Sequence, residues 1–206
     1  MRIEKLKVLV GCEESGKGRD AFIARGHDAW SNDLIPARNG GPHLQMCVTK
    51  AITEHGPWDI IILFFECTEM AVCANRWYAE GKPGWPKRQA ALDFAENLWE
   101  LAKKHARVGC AFENPASTLW TRIGTPQYIQ PWQFGHKETK KTGIKTHHLP
   151  PLMDTNVVGP PPPAGAEERK SWERVWRMAK SETRKRDRSE SYQGIMDAMA
   201  DQWGDL

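Results

Sequence analysis

Trp58-Asp-Ile-Ile-Ile-Leu-Phe-Phe-Glu-Cys-Thr68 carries an unbroken apolar run, Ile60 to Phe65, that stops abruptly on a carboxylate and a thiol. So short a run without alternation fits a strand buried on both faces, as in a parallel sheet. In open α/β sheets, ligands bind beyond the carboxyl ends of the strands. Glu66, Cys67 and Thr68 therefore fall where a site is expected, and the remainder of the chain can be read for what it brings to that place.

Upstream, Leu6-Lys-Val-Leu-Val-Gly-Cys12 reads as a first strand, followed by the polar turn Glu13-Glu-Ser-Gly-Lys-Gly18 and a helix starting near Arg19. Strand, glycine-bearing turn and helix form the opening unit of a nucleotide-binding α/β fold. The turn lacks the Gly-Lys-Ser/Thr ending of a phosphate-cradling loop, and its two glutamates suit a cationic or hydroxyl-rich ligand. Gly26-His-Asp-Ala-Trp-Ser-Asn-Asp33 reads as a short second strand. Asp33 at its end is either a ribose-binding acid or a turn former. Residues 35–43 carry prolines and glycines and read as a loop, with His43 in solvent.

Downstream, residues 70–87 form a long loop in which Arg76, Lys82, Lys87 and the adjoining Arg88 interleave with Trp77, Tyr78 and Trp85. Basic and aromatic residues alternating on a loop suit phosphates and unstacked bases, although a solvated loop has the same composition. Leu92, Ala95, Leu98, Trp99 and Ala102 recur at helical spacing. Arg107-Val-Gly-Cys-Ala-Phe-Glu-Asn-Pro115 is the next strand, bringing Glu113 to the same sheet edge as Cys67. Residues 118–136 read as irregular. Residues 137–148 read as a basic hairpin at the sheet edge, with Lys140, Lys141 and Lys145 as a phosphate-contact face. A proline-dense connector and a helix over 167–180, with Trp172, Val175 and Trp176 on one side, come next. The basic run of Lys180, Arg184, Lys185, Arg186 and Arg188 leads to a closing helix with Ile195, Met196, Met199 and Trp203 at helical spacing. The organisation expected is one α/β domain over 1–150, a connector and basic segment over 151–190, and a helix over 191–206 returning to the domain.

Composition narrows the classes. With 206 residues the chain supports one core of good size, and a net charge of +3 permits a polyanionic partner without demanding one. The five cysteines form no Cys-x-x-Cys pair, and neither a leader nor a membrane-length apolar span is legible, so free thiols in a cytoplasm are expected. The ten tryptophans can serve as ordinary packing or as stacking surfaces for a planar ligand. His147-His148 has no cysteine or acid at ligand spacing, so no metal site is expected. A thiol facing a carboxyl points to covalent chemistry on a base: a thiolate adds to an electron-poor ring carbon while a carboxylic acid protonates a ring nitrogen.

The segments 8–22, 26–33, 58–75, Phe112-Glu-Asn-Pro115, Tyr128-Ile-Gln-Pro-Trp-Gln-Phe-Gly-His136, Glu138-Thr-Lys-Lys-Thr142 and 192–203 together resemble a group of small phage and prophage proteins similar to DNA cytosine C5-methyltransferases. The resemblance implies a Rossmann-like methyltransferase fold, a mostly parallel sheet with helices on both faces and no large target-recognition domain. It implies S-adenosylmethionine held by Gly11, Glu13, Ser15, Gly16, Asp33 and Leu34. It also implies Cys67 as nucleophile and Glu113 as general acid, acting on a base flipped out of DNA or on a nucleotide. Arg76, Lys82, Lys140, Lys141, Lys145, Arg184, Lys185, Arg186 and Arg188 are the expected nucleic-acid contacts. Where cytosine methyltransferases carry Pro-Pro-Cys, this chain has Phe65-Glu66-Cys67. Glu66 is expected to raise the pKa of the thiol, or to work with it in a different base-modifying reaction. A further alternative is a protein that keeps the fold without the chemistry and binds nucleic acid or a host factor.

Overall fold

A computed structural model describes residues 4–206, except for the side chain of Lys185. Among the described residues, strands β1 (Lys7–Gly11), β2 (Asp28–Asp33), β3 (His43–Gln45), β4 (Trp58–Leu63), β5 (Ala106–Pro115), β6 (Gln127–Ile129) and β7 (Thr142–His147) form one sheet in the order β3-β2-β1-β4-β5-β7-β6. The first five run parallel, and β7 is antiparallel to both β5 and β6. This is a Rossmann-like, mostly parallel sheet, and β4 lies at its centre with every residue buried.

Period-2 geometry sends alternate residues of β4 to opposite faces. Ile60 and Ile62 join Val8, Val10, Phe22, Met196 and Trp203 in one core, beneath α1 (Lys17–Ala24) and α8 (Gln193–Gly204). Ile61 and Leu63 join Leu9, Ile52, Leu92, Leu98 and Trp99 in the other, beneath α2 (Val48–Glu54) and α4 (Trp85–His105). The periodic residues of α4 all face inward as the spacing predicts, and Pro86 stands in its first turn, where a missing N–H costs nothing. No helix among the described residues is long and apolar enough to cross a membrane, and no second large domain stands apart from the sheet.

Four local expectations are corrected. The basic segment expected at the sheet edge supplies β7, an interior strand, and the edge is taken by β6 from the segment read as irregular, which also contains α5 (Trp120–Ile123). His43 is no solvated loop residue: it opens β3, half-buried, with Nδ1 2.9 Å from Ser31 Oγ. Within the long loop lie a 3-10 turn at Val72–Ala74 and α3 (Asn75–Tyr78), and α4 begins early enough to take Trp85, Lys87 and Arg88 out of it. The helix expected over 167–180 is a 3-10 turn, Glu167–Trp172, followed by α6 (Arg174–Arg177); the break at Glu173 shifts the phase, so Trp172 and Val175 are buried but Trp176 is 71% exposed. Beyond it, α7 (Arg184–Ser189) carries the basic run.

Candidate functional site

At the carboxyl end of β1, the chain turns through Cys12 in the left-handed region, and Glu13 N–H donates to Asn32 O at 2.8 Å, tying the turn to β2. The buried Glu13 carboxylate accepts from Ser15 Oγ and, at 3.0 Å, from Gly16 N, and burial holds its pKa above the ordinary range. Glu13 and Ser15 thus shape the turn. Gly16 has φ 77°, and a Cβ there would lie 2.2 Å from Asn39 Oδ1, while a Cβ on Gly11 would lie 2.8 Å from Leu63 Cδ2. Both glycines therefore answer to the protein's own packing. Asp33 Oδ1 accepts from Leu34 N at 2.7 Å and Ile35 N at 3.3 Å, which makes Asp33 a turn former, and Leu34 is 71% exposed. The sequence reading missed Asn32. Fully buried, it donates from Nδ2 to Leu44 O and Met46 O, while Oδ1 has no partner among the described residues and lies near Gly11. The acceptor Asn32 Oδ1 and the Asp33 carboxylate fit a ligand bearing donors and positive charge.

At the ends of β4 and β5 the loop bearing Cys67 is tied down from several sides. Asn114, fully buried, donates from Nδ2 to Phe65 O at 3.1 Å, and Phe65 stacks on Phe94 with ring centroids 5.3 Å apart. Cys67 O accepts from Met70 N at 3.1 Å and Ala71 N at 2.8 Å, closing a turn. Arg88, expected on a phosphate-facing loop, is instead buried beneath this one: its guanidinium donates to Glu69 O at 2.6 Å, Asn75 Oδ1 at 2.8 Å and Ala71 O at 3.3 Å.

Cys67 itself is half-buried. Burial, then the neighbouring Glu113 and more weakly Cys73, push its thiol up to about 11, against the pull of Lys140. Glu113, on β5, is also held above the ordinary carboxyl range by burial, again opposed by Lys140. Cys67, Glu113 and Lys140 therefore form one electrostatic cluster. Glu66 is exposed and accepts from Thr68 Oγ1 at 2.7 Å, and Glu113 is a carboxyl that raises the thiol's pKa next after burial. Lys140, expected on a phosphate face, stands at the centre of the site, with Nζ 5.7 Å from the Tyr192 ring and 3.4 Å from Glu190 O.

A cavity of about 20 Å³ adjoins Glu113 and Lys140, lined also by Phe64, Tyr192, Ile195 and Met196. That is room for a single water and far too little for a nucleobase. Ser191, Tyr192 and the start of α8 form one wall of it, a role to which nothing in their sequence points.

The remaining basic residues are distributed around the molecule. Arg76 lies over the exposed Trp77 ring, and Lys82 is exposed on the same loop. Lys141 lies 4.1 Å over the Tyr128 ring, and Lys145 donates to Thr125 O at 3.3 Å beside a cavity of about 140 Å³. Arg184, Arg186 and Arg188 occupy α7, where Arg186 approaches Glu14 of the first turn to 3.8 Å; the Lys185 side chain lies outside the described residues. No cluster of three or more potential metal ligands occurs among the described residues.

No protein-family model and no curated protein matches the sequence. Among solved structures, the chain is similar to the S. pombe Dnmt2 methyltransferase, at 13% identity and a TM-score of 0.41 over 69% of this chain and 48% of that one. The chain spans about half the length of that protein. The fold described above rests on its own strand order and register.

Proposed function

We propose that this chain is an S-adenosylmethionine-dependent nucleobase methyltransferase of the cytosine C5 kind acting on DNA, with Cys67 as nucleophile and Glu113 as general acid. The observation that carries the reading is the shared environment of Cys67 and Glu113 at the carboxyl ends of adjacent parallel strands, with Lys140 acting on two groups that both favour their protonated forms. A carboxyl kept neutral by burial can donate its proton to a ring nitrogen. The thiol must lose its proton to solvent before attack, and the charge of the Lys140 ammonium favours this. As the sulfur–carbon bond forms, a ring double bond gives up its electron pair toward the nitrogen that takes the Glu113 proton. The bound cofactor supplies an electrophilic methyl group. Asn32 Oδ1 and Asp33 fit its cationic and hydroxyl-bearing parts, Gly11, Glu13, Ser15 and Gly16 keep the turn in shape, and Leu34 flanks it. Arg76, Lys82, Lys141, Lys145 and the α7 arginines are proposed to contact phosphates of the nucleic acid, whose target base would be extruded.

Calorimetry is expected to show S-adenosylmethionine binding that survives Cys67→Ser, and the variant should lose transfer of a labelled methyl group to DNA. Absence of cofactor binding sinks this reading. The small cavity and the raised pKa of Cys67 favour a second one, a fold that binds nucleic acid without modifying it. In that case DNA retention persists in Cys67→Ser and falls steeply with salt, while mass spectrometry of nucleosides from expressing cells finds no altered base.

A further inference from the structure

The cavity at Glu113 is lined by a segment that is itself held by positive charge. Glu190, just before α8, places its carboxylate 2.5 Å from Lys17 Nζ and 3.4 Å from Arg38 Nη1. The backbone that follows is gripped as well: Lys17 Nζ donates to Ser191 O at 3.2 Å and Lys140 Nζ to Glu190 O at 3.4 Å. Tyr192 OH donates to Glu138 at 2.5 Å, and Glu138 pairs with Arg174 at 2.7 Å. Lys17 comes from α1, Arg38 from the loop after β2 and Lys140 from the approach to β7, so three distant parts of the chain converge on residues 190–191. The side chains of the Lys17–Glu190 and Arg38–Glu190 pairs are each about 30% exposed, so that solvent reaches them and a bound anion is exchangeable.

The acidic first turn does not oppose an external anion here. Glu14 is neutralised by paired contacts with Arg38 and by the approach of Arg186, and Glu13 is buried with its carboxylate turned to Ser15 and Gly16. Arg38 is thus shared between Glu14 and Glu190, and Lys17 has only Glu190 as its acidic partner among the described ion pairs. What Glu190 occupies has the charge and donor geometry of a phosphate site.

We propose that Lys17 and Arg38 form a phosphate-binding site in which the Glu190 carboxylate stands in for the ligand, with Lys140 holding the adjoining backbone, so that a substrate phosphate displaces residues 190–192 and widens the Glu113 cavity. This rests on the proposed nucleic-acid substrate but not on the methyl transfer. The closed form is then the resting state, and the energy of phosphate binding drives the opening. Removing the internal competitor raises affinity by the factor through which it had reduced the open population.

The test uses the full chain, a fluorescent 12-mer single-stranded oligonucleotide and, separately, inorganic phosphate. Glu190→Gln is expected to tighten oligonucleotide binding by about tenfold, as for a site open about a tenth of the time. Lys17→Ala is expected to weaken binding and lower the salt slope by about one, and to cancel the gain when combined with Glu190→Gln. Hydrogen exchange over residues 190–196 should speed up when the oligonucleotide binds. The same acceleration with inorganic phosphate identifies a lone phosphate as sufficient, and its restriction to the oligonucleotide identifies a polynucleotide backbone. Affinity of Glu190→Gln within twofold of the parent, in a variant whose melting shows it folded, overturns the proposal, as does unchanged exchange over 190–196 with both probes. Cofactor calorimetry on the same samples keeps the two ideas separate, since cofactor binding with no oligonucleotide response sinks only this one.

Discussion

Gly194 illustrates how sharply a single position can be constrained. A Cβ there would lie 1.9 Å from Phe134 O, and its N–H donates to His136 Nε2 at 3.0 Å, so the start of α8 locks onto the chain around β6. Gly194→Ala is expected to cost about 2 kcal/mol by overpacking, read as a lower urea midpoint. Glu113 works in the opposite direction. Burial raises its pKa, so its contribution to stability is complete below the ordinary carboxyl value and is lost as pH rises through the folded one. Glu113→Gln should therefore melt higher than the parent, with a gain that grows as pH rises above the ordinary carboxyl value, at the expense of any proton donation. Reactivity among the cysteines should also separate. Cys47 is exposed, with a thiol pKa lowered first by its hydrogen bond with Thr49, whereas Cys67 is pushed up to about 11 and Cys12 and Cys110 to about 12. Iodoacetamide at pH 7.5, followed by peptide mass spectrometry, should label Cys47 well before Cys67. A faster Cys67 would mean that the resting site favours the thiolate after all.

Among the elements, the most consequential is the loop after β4, which depends on one buried side chain of α4. Arg88 donates to two backbone carbonyls and to Asn75, and Arg88→Leu leaves all three acceptors without this partner, the Ala71 carbonyl in a buried setting. The expected loss is about 3 kcal/mol, with hydrogen exchange rising first over residues 69–78. Equal acceleration over the whole chain would show that the arginine supports the core instead of the loop. In the sequence Arg88 belongs to a run of basic and aromatic residues, and only its burial distinguishes it from Lys82 or Lys87. The elements differ in legibility for a related reason. β4 is readable from its unbroken apolar run, and α4 because its 21 residues sample the helical period several times. β3 and β6 have three residues each, too few to show a period, and exist because neighbouring strands offer them partners. β7 was readable as a strand, but its interior position follows from β6 pairing alongside it.

For the whole molecule, pH should matter most just below neutrality. Burial lowers the pKa values of His27, His136 and His147, and His136 accepts a bond that only a neutral ring can take. Because the folded values lie below the unfolded value of about 6.5, their stabilisation is present above that pH and is lost as pH falls through the folded values. The urea midpoint of the parent should fall relative to that of His136→Gln as pH drops below about 6.5. A constant difference between the two down to pH 5 would show that this ring protonates without strain in the fold. The sequence by itself determined the central strand, the covering helices, the parallel α/β class and the convergence of Cys67 and Glu113 at one sheet edge, because hydrophobic periodicity and strand polarity are local properties. That Lys140 joins them, that Arg88 and Asn32 turn inward, that Glu66 is exposed beside Thr68, and that Ser191 and Tyr192 line the cavity emerge only from the tertiary contacts. Those outcomes depend on contacts between residues far apart in the chain, and a charged side chain reads the same in sequence whether solvent, a buried carbonyl or another part of the chain is its partner.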